Sequence, residues 1–334
     1  MNLKRKVKKE FGKNLYLASM NRKALIIGIK NYKLTNKEKI LLKKVKPWGV
    51  ILFSRNIKSI SQVKSLTNNI KKILKDSNYP ILVDMEGGAV SRLNKIIDFS
   101  IFSQSFFGNL FRNKKKLFYT YYKIYIDSVS SILQNCGINI NTVPNLDLRR
   151  KKSHPIIGTR SFSNNPNEIF LLGKICVDFY NKNKIATVIK HIPGHGLSNS
   201  DSHYDTPIVN ANIKNLKSKD FKVFKKINSL FAMTAHIIYS AYDSTNTATH
   251  SKIIIAKVIR NFINFKGILI SDDISMKSLK FSIETNAVNA LKAGCNLVLH
   301  CNGNIQEVYK IAKVIPKIDN FTKIKTGYFY KFLG

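Results

Sequence analysis

"ATVIKHIPG", Ala186–Gly194, is an apolar run that stops on a lysine, a histidine, a proline and a glycine. Continuous apolar residues, rather than strict alternation, suit a strand buried on both faces, as in a parallel sheet. Seven other runs have the same build. Before it come "ALIIGI" (24–29), "GVILFSRN" (49–56), "ILVDMEGG" (81–88) and "INTVPNLDL" (140–148). After it come "FAMTAHI" (231–237), "GILISDD" (267–273) and "NLVLHCNG" (296–303). The stretches between them carry helical periodicity, as in "SISQVKSLTNNIKKIL" (59–74) and "NEIFLLGKICVDFYNKN" (167–183). Eight strand–helix units in 334 residues predict the α/β class and a single-domain (β/α)8 TIM barrel. Its core spans about residues 24–310, with a basic N-terminal extension and a C-terminal tail. An open doubly wound sheet gives the same alternation, but no GxGxxG follows the first run, which counts against its dinucleotide-binding form.

The chain has only 19 acidic residues, so where each one sits is informative. Asp84, Glu86, Asp147, Asp201, Asp205, Asp243, Asp272 and Asp273 fall at or just past the ends of predicted strands. In a parallel barrel those ends converge on one face, where active sites form. The same ends supply Arg92, Arg160, Lys190, His191, His195 and His203. A pocket so lined suits a hydroxyl-rich ligand and can supply a nucleophile and an acid/base. Chance clustering of acids in loops is the bland alternative. Phosphate is a poorer ligand here, because no P-loop is present and carboxylates repel it.

The first run leads into "KHIPGHGLSNSDSHYDTP", Lys190–Pro207, with three histidines and three aspartate or lysine charges in one loop. Zinc wants convergent ligands, whereas Pro193 bars a helical turn between His191 and His195, so no metal is expected. A Ser–His–Asp hydrolase wants a GxSxG elbow, and none occurs. Asp201 and His203 can share one side of an extended segment, letting the carboxylate fix the imidazole tautomer. A surface Asp–His contact accounts for that local pattern equally well.

The net charge of +37 suggests an anionic partner. The lysines, however, are dispersed, outnumber arginine, and accompany many Asn and Ile residues, a pattern of AT-rich codon drift. No specific nucleic-acid partner is therefore expected. There is no apolar signal-peptide core and no run of about 18 apolar residues for a membrane span. Four cysteines without zinc or disulfide spacing fit a reducing compartment with buried thiols, so a cytoplasmic monomer is expected.

Taken together, "KHIPGHG" and "DSHYDTP" resemble the signature of the glycoside hydrolase family 3 β-N-acetylhexosaminidases. The likeness is to the bacterial cytosolic branch that serves peptidoglycan recycling. "ILFSRN", "VDMEGGAVSRL", "PNLDL", "IGTRSF", "MTAHIIYSAYD" and "GILISDDISM" follow in the family's order, from about residue 24 to 303. The resemblance implies a barrel and a retaining exo-β-N-acetylglucosaminidase acting on GlcNAc-containing muropeptides without a cofactor. It implies Asp272 as nucleophile, His203 as acid/base and Asp201 as the group orienting His203. It also implies sugar binding by Asp84, Arg92, Arg160, Lys190 and His191. Another family 3 β-glycosidase, a GlcNAc phosphorylase, or a noncatalytic basic nucleic-acid-binding protein on the same scaffold are the alternatives. Met85 and Ala89 stand where the family commonly has Gln and Arg, and Ile192 where Phe is usual. Asp273 should point away from Asp272 along the strand, and His236 is expected in a supporting hydrogen bond. Glu86 is expected to orient its turn or to pair with an arginine. Asp147 is expected to contact substrate or to hold its loop.

Overall fold

The computed structural model describes residues 21–150, 157–198, 200–202 and 204–334. Most of the basic N-terminal extension, and His203, lie outside the described residues.

All eight apolar runs form strands, and they close into one parallel barrel. In chain order the barrel strands are β1 (Lys23–Gly28), β2 (Pro47–Leu52), β3 (Ile81–Val83), β4 (Ile140–Asn141) and β5 (Ala186–Ile192). They continue with β7 (Phe231–Thr234), β9 (Ile268–Asp273) and β10 (Leu297–His300). Between them, β6 (Ile208–Val209) and β8 (Ile238–Tyr239) pair separately, tying the loop after β5 to the loop after β7. This small sheet is absent from the sequence reading, because two-residue strands carry no periodicity.

Every residue of β2 and β5 is buried, as expected for strands covered on both faces. Alternate residues go to two separate cores. Ala24, Ile26, Val188, Phe231, Ile270 and Leu297 fill the barrel interior, while Leu25, Ile27, Ile189 and Leu269 pack outward against the helices. The helices begin where short polar residues can hold the first free N–H groups. Ser59 accepts from Gln62 N before Ile60–Leu74, and Asn165 accepts from Asn167 N before Pro166–Lys182, with proline in the first turn.

Several runs leave the sheet earlier than the apolar pattern suggests. The third leaves after Val83, because Gly87 (φ +81°) and Gly88 (φ +60°) turn the chain back over the barrel mouth. The fourth leaves after Asn141, ahead of Pro144.

The C-terminal tail is the main departure. Asn320–Leu333 is a helix, started by Asp319, whose side chain accepts from Thr322 N at 2.7 Å. It seals the barrel floor: Phe329 sits 5.5 Å from Phe231, Phe231 5.6 Å from Trp48, and Trp48 Nε1 donates to Thr326 Oγ1 at 2.9 Å. A floor whose innermost side chains include Trp48 and Phe231 must be covered by something apolar, and this segment supplies it.

Candidate active site

Strand parity aims a set of polar groups into the barrel mouth. Leu82 points inward, and so does Asp84 two residues later. Likewise Ala186 and Val188 lead to Lys190, Ile268 and Ile270 to Asp272, and Leu297 and Leu299 to Cys301. His191 escapes this parity because the β5–β7 register shifts between Lys190 and Ile192, and its ring joins the same cavity. The cavity holds about 400 Å³, within the range of about 300–1,000 Å³ common for small-ligand pockets. Arg92 and Arg160 also line it, so Asp84, Arg92, Arg160, Lys190, His191 and Asp272 converge on one space.

The cations and carboxylates alternate. Arg92 Nη2 lies 3.4 Å from Asp84 Oδ2, and Lys190 Nζ lies 3.3 Å from Asp84 Oδ1 and 2.7 Å from Glu86 Oε1. Arg160 grips Glu86 with two parallel bonds, Nε to Oε2 at 2.9 Å and Nη2 to Oε1 at 2.8 Å. Thr142 Oγ1 donates to Asp84 and accepts from Lys190 at 3.0 Å. Burial alone would raise the Asp84 carboxyl, but Lys190, then Arg92 and the Thr142 bond outweigh it and hold it well below the usual range. Against the same burial penalty, Arg160 and Lys190 bring Glu86 down to about 2. Both carboxylates are anionic acceptors at neutral pH. Glu86 pairs with an arginine, as one of the two readings of it expected.

Asp272 Oδ1 accepts from Asp273 N at 2.8 Å, which leaves Oδ2 turned toward His191 Nε2, 3.9 Å away. Asp147 is fully buried beneath that ring. Its Oδ2 meets His191 Nδ1 at 2.7 Å, and its Oδ1 accepts from His195 N at 2.6 Å. It holds its loop and a histidine at once. His236 bonds Thr249 Oγ1 at 2.6 Å and the Asp273 carbonyl at 3.0 Å, a supporting position. Burial lowers His236, and it pushes His195 down to about 4 despite the opposing pull of Asp147.

Not every acid at a strand end reaches the cavity. Asp273 faces away and accepts from Ser275 N, Asp205 is exposed, and Asp243 pins the Thr245–Asn246 turn. Asp201 closes a turn through its carbonyl, which accepts from Tyr204 and Asp205, and Ser202 lines the cavity. Three thiols are buried as expected, but Cys301 is half-buried against the cavity, its thiol raised well above its usual range by burial. Of the positions departing from the family pattern, Met85 is buried, accepting from Ser91 Oγ at 3.3 Å, Ile192 is core, and Ala89 sits on the cavity rim. Thr142 and the paired role of Asp147 escaped sequence reasoning. A threonine and a loop carboxylate carry no motif of their own, and only the folded contacts expose them.

Among the described residues, no group of three or more His, Cys, Asp or Glu side chains is arranged to hold a metal ion. Nor is any helix among them long and apolar enough to cross a membrane. A larger hollow of about 820 Å³ lies at the opposite end of the barrel, lined by Lys225, Lys226, Lys266 and Lys325. Its lining has no carboxylate, histidine or cysteine, whereas the smaller cavity brings carboxylates and histidines together with cations.

Residues 12–325 match the model of the glycosyl hydrolase family 3 N-terminal domain. The β-hexosaminidase of Photobacterium profundum is 30% identical over 323 residues, covering 92% of each chain. That of Hydrogenovibrio crunogenus is 35% identical over 260 residues, 76% of this chain and 71% of the other. Among solved structures, NagZ from Neisseria gonorrhoeae in complex with N-trifluoroacetyl-D-glucosamine superposes with a TM-score of 0.83 at 28% identity. That match covers 93% of this chain and 90% of the other.

Proposed function

The chain belongs to glycosyl hydrolase family 3 and is a glycoside hydrolase of the β-hexosaminidase type; from there we propose that it is a retaining exo-β-N-acetylglucosaminidase. Its substrate is a terminal β-linked GlcNAc on muropeptide fragments, and it works in the cytoplasm in peptidoglycan recycling. It acts as a monomer with one catalytic domain. The observation that carries this reading is Asp272 Oδ2, turned into a cavity whose other walls carry Asp84, Lys190, Arg92 and Arg160.

Asp272 attacks the anomeric carbon, with Asp273 N–H holding Oδ1 so that Oδ2 is the attacking atom. His203 as imidazolium protonates the leaving oxygen, with Asp201 steadying it, and as neutral imidazole it then activates water to release the sugar. Most retaining glycosidases use two carboxyls. An imidazole, with an ordinary value of about 6.5, serves both proton steps near neutrality. Asp84 accepts from sugar hydroxyls, while Lys190, Arg92 and Arg160 donate to sugar oxygens and His191 contacts the ring substituents.

The decisive measurement is release of nitrophenol from nitrophenyl β-GlcNAc by the wild type and Asp272→Ala. Wild-type turnover that falls by roughly 10⁴-fold or more in the variant is expected, as for loss of a covalent nucleophile. Wild-type inactivity, or a fully active Asp272→Ala, ends the reading.

A further inference from the structure

We infer that Asp147 fixes the tautomer of His191, keeping the proton on Nδ1 and presenting Nε2 to the cavity as an acceptor beside Asp272. Asp147 is thus a positioning residue that makes this corner demand a hydrogen-bond donor from the ligand. The inference rests on the glycosidase reading of the cavity.

Each oxygen of the Asp147 carboxylate has its own task. Oδ2 lies 2.7 Å from His191 Nδ1, while Oδ1 accepts from the backbone N–H groups of His195 at 2.6 Å and His191 at 3.3 Å. The backbone of Asp147 is tied as well: its N–H donates to Asn145 Oδ1 at 2.8 Å, and its carbonyl accepts from Ser161 Oγ at 2.7 Å. The carboxylate therefore has no freedom to rotate. Burial would raise it, but His191 and then His195 hold it below its ordinary range, so it is an anion and can only accept. The ring nitrogen facing it must carry the proton.

In the neutral ring that leaves a lone pair on Nε2, 3.9 Å from Asp272 Oδ2. The distance is too long for a direct hydrogen bond, so the Nε2 lone pair is left for the ligand. A ligand oxygen within about 2.8 Å of Nε2 must belong to a hydroxyl that donates its one proton there. An ether oxygen or a fluorine leaves Nε2 unpaired, which a buried site penalises strongly. The neighbouring imidazoles do not alter this. Burial lowers both His195, whose ring centre is 5.7 Å away, and His236, so neither adds positive charge at neutral pH.

The same geometry predicts what Asp147→Asn does. The two backbone N–H groups keep the amide oxygen at the Oδ1 position. The NH₂ then faces His191 Nδ1 and donates to it, driving the ring proton onto Nε2. A nearly isosteric change inverts the ring.

The experiment uses the full chain labelled with ¹⁵N-histidine, followed upward in pH until the His191 signal stops moving, with His191→Gln assigning that signal. Wild type should show Nδ1–H, and Asp147→Asn should show Nε2–H. Nitrophenyl GlcNAc and its 3-, 4- and 6-deoxyfluoro analogues supply the second reading. Wild type should lose at least about tenfold in kcat/KM at one fluorinated position, and Asp147→Asn should lose that discrimination. A neutral wild-type ring protonated on Nε2, or an unchanged tautomer and fluorine profile in Asp147→Asn, overturns the inference. If Asp147→Asn does not fold, the wild-type spectrum decides alone. If wild type fails to cleave any of the glycosides, the proposed function falls, while the spectrum still decides the tautomer.

Discussion

The barrel carries a buried ionic cluster at each end, and the two are built on opposite principles. At the floor, Arg22 pairs with Asp76, Tyr330 OH donates to Asp76 Oδ2 at 2.6 Å, and Arg22 Nη1 donates to that hydroxyl at 2.7 Å. The two charged side chains are only 3% and 4% exposed, and tyrosines close the cluster. At the mouth, three cations and two carboxylates form a chain in which Arg92 and Asp84 remain 29% and 16% exposed to the cavity. The floor cluster's charges are bonded to each other, to Tyr330 and to the Asn78 backbone, away from any cavity. At the mouth, Asp84 and Arg92 face the cavity, and Arg92 Nε has no partner among the described residues. Unspent valence over a cavity, more than buried charge as such, separates a site from a strut.

Lys190→Met should give the largest effect that tests this contrast. Among the described residues it removes the one side chain paired with both Asp84 and Glu86, leaving both carboxylates short of a partner. Losing one partner of a buried pair costs about 3–5 kcal/mol. Here much of that should appear as lost turnover, a fall in kcat/KM of about a thousandfold with nitrophenyl GlcNAc. A variant that keeps wild-type kcat/KM would mean that the mouth chain is a strut too.

Arg22→Met at the floor is the counterpart. It strands Asp76 and should lower unfolding free energy by about 3 kcal/mol in urea titrations. The kcat of the folded fraction should stay within about twofold, because the floor lies at the far end of the barrel from Asp272. A large fall in kcat without loss of stability would erase the distinction between the two ends.

Much of the fold was readable because burial on both faces leaves unbroken apolar runs, and all eight became strands. Once Ile268 and Ile270 are known to face inward, parity alone assigns Asp272 to the cavity and Asp273 away from it. His191 was legible from its place at a strand end and from the family resemblance but not from parity, which would turn it outward; the register shift after Lys190 reverses that. The tie between Asp147 and His191 spans 44 positions and has no periodic trace. The floor helix was missed for a related reason. Phe329 and Tyr330 look like ordinary surface aromatics until the barrel opening they fill is known. The four lysines of the basal hollow show the converse: a conspicuous composition without geometry to give it a chemical task.

The smallest predicted effect concerns acid stability and separates the mouth's histidines from its carboxylates. His195 is held down at about 4 by burial, against an ordinary value of about 6.5, so the fold prefers its neutral form. Above about pH 6.5 neither folded nor unfolded chain protonates it, and its contribution is fully present. As pH falls below that, the unfolded chain takes up a proton that the folded chain refuses until about 4. Stability therefore drains across this window, by at most about 3 kcal/mol for this group. Glu86, held at about 2, contributes stability that is lost only below about pH 4.3, as pH falls toward 2. The two windows barely overlap. His250, also pushed down to about 4 by burial, shares the upper one, so the wild-type slope is a sum. His195→Asn should flatten the urea-unfolding profile between pH 6.5 and 4 by about 1–3 kcal/mol and leave the lower limb as steep as before. An unchanged upper limb would mean that the imidazole takes its proton in the folded protein as readily as in the open chain. The Asp147 carboxylate would then outweigh burial at this ring.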